Sequence, residues 1–267
     1  MNTSFLDLYE EFKKIKNKGW IRSLRNSDSG IGYTFEKLLG KEEDNFQFPD
    51  YKGIEIKTYN HFGRERLTLF CATPDGDFLF PIKRLVDTLG YPDKDFPQFK
   101  VFNASAVANQ YTWIGYNKKI KLIVDKENQK VSLIGKDKYD RDYNLNISWS
   151  FDMIREKLRI KMQYLAVVQA ISREYKGEKY FYYNKIGFYQ IRDFDRFIDL
   201  LTKGVIAIKF KISIFKKGKK LGMMHDRGTS FSILACDIDK LYSDVVLGLP
   251  ASNHKMNSIY SNSSFVK

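Results

Sequence analysis

The chain has 267 residues, enough for one large domain or two packed lobes, and 43% hydrophobic with 15% aromatic content excludes a disordered polymer. Its 45 Lys and Arg against 32 Asp and Glu leave a net charge of +13, which points to a polyanionic partner, most simply nucleic acid. No apolar run argues for a membrane span and no secretory pattern opens the chain. Cys71 and Cys236 stand far apart, without zinc-ligand spacing, and suit a reducing cytoplasm as small buried hydrophobes.

Leu6, Leu8, Tyr9, Phe12 and Ile15 recur at helical spacing and predict an amphipathic helix over about 4–18. A polar loop, Asn26 to Gly30, leads into a second helix near 31–40, with Gly40 as its C-terminal stop. A strand over about 53–59 follows, and Arg66–Cys71 reads as its antiparallel partner across a turn containing His61 and Arg64. Residues 74–110 hold four of the six prolines and read as irregular around one helix near 80–90. Strands are expected at 111–116, 119–125 and 130–135, and a helix at 150–161. Strand-like runs at 165–168 and 180–183 precede a helix near 193–203. Ile206, Ile208, Phe210, Ile212 and Ile214 then share one strand face, with Lys209, Lys211 and Ser213 on the other. Strands and helices mix without regular βαβ alternation, so the fold class is α/β with a mixed central sheet flanked by helices. Residues 1–245 are expected to form the folded body, as one large domain or two packed lobes, with its core centred on 30–72 and a hairpin at 205–235, and 246–267 to form a poorly ordered tail.

The chemistry concentrates in Pro49-Asp50-Tyr51-Lys52-Gly53-Ile54-Glu55-Ile56-Lys57, a D-x4-E-x-K pattern. Side chains alternate along a strand, so Glu55 and Lys57 point one way while Ile54 and Ile56 point into a core. Two carboxylates beside an ammonium can hold a hard divalent cation and a water, which phosphodiester hydrolysis requires. The ordinary alternative is a solvated strand edge with a Glu/Lys pair. A second constellation follows the long strand: Lys216, Lys217, Lys219 and Lys220, then His225, Asp226, Arg227 and Thr229. Lysines beside glycines suit phosphate contacts, and the His-Asp-Arg run carries groups that read base edges. The rival is a solvated charged loop. Tyr111, Trp113 and Tyr116 could stack on bases, although strand packing is the plainer role.

Three segments together resemble the MvaI/BcnI group of restriction endonucleases, members of the PD-(D/E)xK superfamily related to the mismatch-repair nickase MutH. They are the G-x-G-x-T-F-E helix from Gly30 to Glu36, the D-x4-E-x-K strand and the H-D-x-G-T-x-F turn from His225 to Phe231. Leu67–Phe70 and Trp149–Asp152 look like segments of the same group in the same order. The resemblance covers about 20–235 and is weak over 74–110. It implies a restriction-endonuclease-like core. Asp50 and Glu55 would be metal ligands, with the Ile56 carbonyl nearby. Lys57 would position or activate the attacking water, and Glu36 would support the metal site. It further implies a two-lobed monomer gripping duplex DNA from both grooves, and a CCWGG- or CCSGG-like target cut one strand at a time.

The expected cofactor is Mg2+, with Mn2+ substituting and Ca2+ supporting binding without cleavage. The expected partner is double-stranded DNA, with no membrane and no obligate protein partner. A cognate DNA methyltransferase would be a genetic companion, and the setting a prokaryotic cytoplasm. Lys209, Lys211, the hairpin residues named above, His61 and Arg64 are the expected DNA contacts. A MutH-like strand nickase and a non-catalytic DNA-binding module are the alternatives, and an acidic-membrane binder is supported by charge alone.

Overall fold

The computed structural model describes residues 3–27, 29–41, 48–60, 66–76 and 79–247. Chain order begins α1 (Thr3–Asn17), β1 (Ile21–Arg22), α2 (Gly30–Leu38), β2 (Glu55–Asn60), β3 (Arg66–Cys71), α3 (Leu79–Leu89), β4 (Tyr91–Pro92) and β5 (Lys100–Ala106). It continues with β6 (Thr112–Ile114), β7 (Lys118–Asp125), β8 (Lys130–Asp137), β9 (Asp142–Ser150), α4 (Phe151–Lys161), β10 (Tyr164–Tyr175) and β11 (Glu178–Ile191). The last elements are α5 (Phe194–Thr202), β12 (Ala207–Ile214), β13 (Met224–Asp226), β14 (Ser230–Leu234), α6 (Ile238–Leu241) and β15 (Tyr242–Asp244). Among the described residues, no helix is long and apolar enough to cross a membrane.

The chain forms two compact units, each assembled from separated segments. The first takes residues 1–67, 160–192 and 234–267. Its sheet runs β1-β11-β10-β2, with β15 also on β11, and is mixed because β2 lies parallel to β10. Leu165, Ala166, Val167 and Val168 of β10 are all buried, as a central strand covered on both faces requires. α1 sets Phe5, Leu8, Phe12 and Ile15 on one side into the same core as Phe35 of α2 and Ile54 and Ile56 of the motif. Ile56 faces that core, so Glu55 and Lys57 are left on the opposite side of β2.

The second unit takes residues 68–159 and 193–233. One of its sheets runs β3-β14-β12-β5-β4, with β13 also on β12, and the other is the antiparallel meander β6-β7-β8-β9. Phe70 stacks on Phe231 with ring centroids 4.8 Å apart, and Trp149 meets Phe231 edge-on at 6.1 Å. The buried Trp149 indole satisfies its N–H on the Ala72 carbonyl at 3.1 Å.

Cys71 and Cys236 are exposed rather than buried, and two expectations about the fold are corrected as well. Arg66–Cys71 is not the hairpin partner of the motif strand, because β10 pairs with β2 while β3 joins β14. Nor is the proline-rich stretch irregular apart from one helix. Lys100–Ala106 is a strand, and it pairs with β12 from Ile208↔Ala106 to Ile212↔Phe102. Its small residues, Ala104, Ser105 and Ala106, hid the alternation. β9 was also not expected, although Leu145, Ile147 and Trp149 alternate inward along it. The anticipated tail lies almost wholly outside the described residues.

Candidate functional site

The motif is built on a tight turn. Tyr51 and Ile54 exchange backbone hydrogen bonds of 2.9 and 2.8 Å around Lys52 and Gly53. Both central residues have positive φ, 43° at Lys52 and 86° at Gly53, the sign that a two-residue I′-type turn demands. The turn folds Asp50 back against the start of β2, where its Oδ2 accepts the Ile56 N–H at 2.9 Å. The four residues between Asp50 and Glu55 are thus the length that doubles the chain back once. The Asp50 Oδ1 accepts from the Lys41 ammonium.

Glu55 is the most buried carboxylate in this cluster, 1% exposed. Its Oε1 takes the Lys57 ammonium and lies 3.5 Å from that of Lys161, at the end of α4. Its Oε2 is buried with no hydrogen-bond partner among the described residues. Such an acceptor is costly unless something with positive charge or a donor proton meets it.

Glu36 enters from α2. Gly32 lets this helix lie against β2: a Cβ there would stand 3.2 Å from Thr58 Oγ1 and 3.7 Å from Glu36 Oε1. Gly30 starts the helix where a Cβ would collide with the Arg25 carbonyl oxygen at 2.5 Å. The expected stop at Gly40 is present, with φ of 79° and its N–H on the Lys37 carbonyl.

The groups feel one another. Burial pushes the Glu36 carboxyl up, and the Asp50 charge adds to it. Burial also raises Glu55, with Lys57 opposing and Asp50 reinforcing. Asp50 lies below its ordinary range. Burial would raise it, but the Lys41 hydrogen bond, the Ile56 N–H and the Lys57 charge outweigh that. Burial works against the Lys57 ammonium, yet Glu55, Asp50 and Glu36 hold it above its ordinary value, so it is charged at neutral pH. Three carboxylates crowded this way favour an added cation.

Among the described residues, no three His, Cys, Asp or Glu groups form a closed metal cage. A hard cation would instead find Asp50 and the partnerless Glu55 Oε2, and would keep open positions for water and phosphate oxygens. That donor set fits Mg2+, which dehydrates reluctantly and takes few protein ligands. Lys41 and Lys161 were not singled out from the sequence. Neither lies in the motif, and only the fold brings them to its carboxylates.

The second unit carries the expected DNA-contacting lysines, with His225 and Arg227. Lys209, Lys211, Lys216 and Arg227 line one cavity of about 600 Å³. Lys217, Lys219 and Lys220 are exposed on the loop beyond β12. Lys216 is tied down by Asp93 at 3.0 Å and Asp95 at 2.8 Å. The His225 ring packs on Phe215 at 4.4 Å. Asp226 organises the turn, accepting from the Gly228 N–H at 2.9 Å and pairing with the buried Thr229 hydroxyl at 3.2 Å. Trp113 and Tyr116 are exposed, which rules out a core role; Trp113 lies on the surface strand β6, with the Lys119 ammonium 5.3 Å from its ring centroid. His61 and Arg64 lie outside the described residues.

Solved structures share this architecture. The restriction endonuclease MvaI in complex with its cognate DNA substrate matches with a TM-score of 0.85 and 30% identity, over 92% of this chain and 98% of that one. MvaI in the absence of DNA matches with a TM-score of 0.59 and 31% identity over the same shares. The class these define is the restriction endonuclease, an α/β nuclease. The model of the MvaI/BcnI restriction endonuclease family matches residues 9–242, and the chain belongs to that family of type II site-specific nucleases. No curated protein sequence matches it.

Proposed function

We propose that this chain cuts both strands of duplex DNA by Mg2+-dependent phosphodiester hydrolysis at a short pseudo-palindromic site of the CCWGG or CCSGG kind. The observation that carries this reading is the buried Glu55 Oε2, without a partner among the described residues and set near Asp50, Glu36 and Lys57. Asp50 and Glu55 would hold the cation, with the Ile56 carbonyl as the further ligand that the family resemblance implies. The bound cation supplies Lewis acidity and lowers the pKa of water.

The chain's own groups do the rest. Lys57 stays protonated, orients the attacking water and offsets charge on the phosphoryl oxygens. Glu36 braces the site from α2. Lys209, Lys211 and Arg227, with Lys217, Lys219 and Lys220, hold phosphates, while Lys216 is available only by leaving Asp93 and Asp95. His225 presents its imidazole from β13 on the same strand system. Asp226 and Thr229 act through the turn they build. The chain acts as a monomer, nicking one strand and then the other, in a cytoplasm shared with a cognate methyltransferase.

Asp50→Ala and Lys57→Ala are the test. Each should abolish cleavage of a plasmid in Mg2+ while duplex binding in Ca2+ survives. Full cleavage by either purified variant sinks the assignment. Sequencing the ends cut by the unaltered chain gives the site, and nicked circles preceding linear product support sequential cutting.

A further inference from the structure

β5 and β12 lie side by side in antiparallel register, with Asn103 opposite Lys211 and Ser105 opposite Lys209. Alternation divides most of this pair, although Val101 is buried at the same parity as Asn103 and Ser105, and Ala104 and Phe210 also reach the cavity lining. Phe102, Ala106, Ile208, Phe210 and Ile212 are buried. Asn103, Ser105, Lys209, Lys211 and Ser213 face the cavity of about 600 Å³, and Arg227 joins them where its N–H bonds the Lys211 carbonyl at 2.9 Å. The basic face is therefore not lysine alone. One amide, Asn103, and two hydroxyls, Ser105 and Ser213, stand among its cations at fixed strand positions.

That mixture has a chemical meaning. Lysines beside a polyanion bind phosphates without regard to sequence. An asparagine amide carries a donor and an acceptor side by side, which matches the N6 and N7 edge of adenine, and a serine hydroxyl can donate or accept. A two-stranded ribbon is narrow enough to enter the major groove. Side chains on paired strands are also held more firmly than those on a loop, and base reading needs that precision.

We propose that Asn103, assisted by Ser105, reads base edges in a DNA groove and so sets part of the sequence that the enzyme selects. Lys209 and Lys211 flank it and anchor the ribbon to the phosphates. This rests on the nuclease reading above, and names its specificity residues on a strand that the amino-acid sequence did not disclose.

The experiment is selection from a random duplex pool. The full chain binds the pool in Ca2+, and the recovered sequences are compared for the unaltered protein, Asn103→Ala, Asn103→Asp and Lys217→Ala. Asn103→Ala should lose preference at one or two positions, with discrimination there falling about tenfold. Asn103→Asp swaps the donor for an acceptor and should move the preference at those positions towards cytosine. Lys217→Ala should weaken binding while leaving the selected motif intact. Thermal unfolding checks that each variant is folded, and Asn103→Asp keeps size and shape if the alanine variant is not. An unchanged motif in both folded Asn103 variants overturns the inference while leaving the nuclease reading in place. A pool from which the unaltered protein selects nothing overturns both.

Discussion

The ammonium of Lys41 is hydrogen-bonded to Oδ1 of Asp50, and the Ile56 N–H takes the other oxygen. A positive charge therefore already sits on the carboxylate that a divalent cation would need. Pairing stabilises Asp50 in its ionised form, but the same ammonium repels an incoming cation. Lys41→Met should raise the affinity for Ca2+ about tenfold, since removing one nearby unit charge is worth on the order of 1–4 kcal/mol at the effective dielectric of such a site. Calorimetric titration measures this without any turnover. Equal affinities for the two proteins would show that Lys41 leaves its place at no cost.

The turn at Lys52 and Gly53 couples the backbone to the same carboxylate. Gly53 has φ of 86°, where an L side chain is strained, and Lys52 already bears that strain at 43°. Gly53→Ala should cost about 1 kcal/mol of stability through the backbone alone, because no atom of the described residues beyond its chain neighbours lies within 4 Å of the added Cβ. The turn also positions Asp50 against Ile56, so Ca2+ affinity should fall with it. A melting curve and a titration of one preparation give both numbers. Unchanged affinity beside lowered stability would uncouple the turn from the site.

Gly30 and Gly32 make separable demands. An alanine at 30 meets the Arg25 carbonyl oxygen at 2.5 Å and the Ser23 hydroxyl at 2.7 Å, so the chain entering α2 must shift. Overpacking of this kind costs about 1–3 kcal/mol. An alanine at 32 meets the Thr58 hydroxyl at 3.2 Å and nudges the helix that carries Glu36. Gly30→Ala should thus lower the melting temperature more, and Gly32→Ala should lower the cleavage rate more relative to its loss of stability. The reverse order of effects would mean that Glu36 is not placed by this contact.

The motif could be read because its groups lie within one turn and one strand. Asp50, Glu55 and Lys57 are local, and local geometry follows from alternation and turn chemistry. Phe12, Phe35 and the β12 isoleucines could be read for the same reason, since apolar spacing reports the buried face directly. Pairing between distant segments could not. The motif strand takes β10 as its neighbour, more than a hundred residues on, while Arg66–Cys71 next to it in sequence goes to β14. Lys161 reaches Glu55 only through that parallel pairing, in which Leu165 stands beside Glu55. Asn103 shared the fate of β5, whose small and polar residues give no periodic signal. The family resemblance supplied Glu36, which spacing alone would have left as an ordinary helix glutamate.

Lysines near one another on the loop after β12 should not contribute alike. Lys217, Lys219 and Lys220 are exposed, whereas Lys216 is held by Asp93 and Asp95. A phosphate contact releases a counterion from duplex DNA, so each one adds about 0.9 to the slope of log affinity against log salt. Replacing Lys217, Lys219 and Lys220 together by Gln should lower that slope by roughly 2–3. Lys216→Gln should lower it by well under one, because binding through Lys216 first requires breaking two ion pairs and leaves both carboxylates facing the polyanion. Fluorescence anisotropy of a labelled duplex across a salt series in Ca2+ reads both slopes. A full unit lost on replacing Lys216 would mean that it exchanges Asp93 and Asp95 for a phosphate when DNA binds, and would move the DNA path towards the side of the cavity that Asp93 lines.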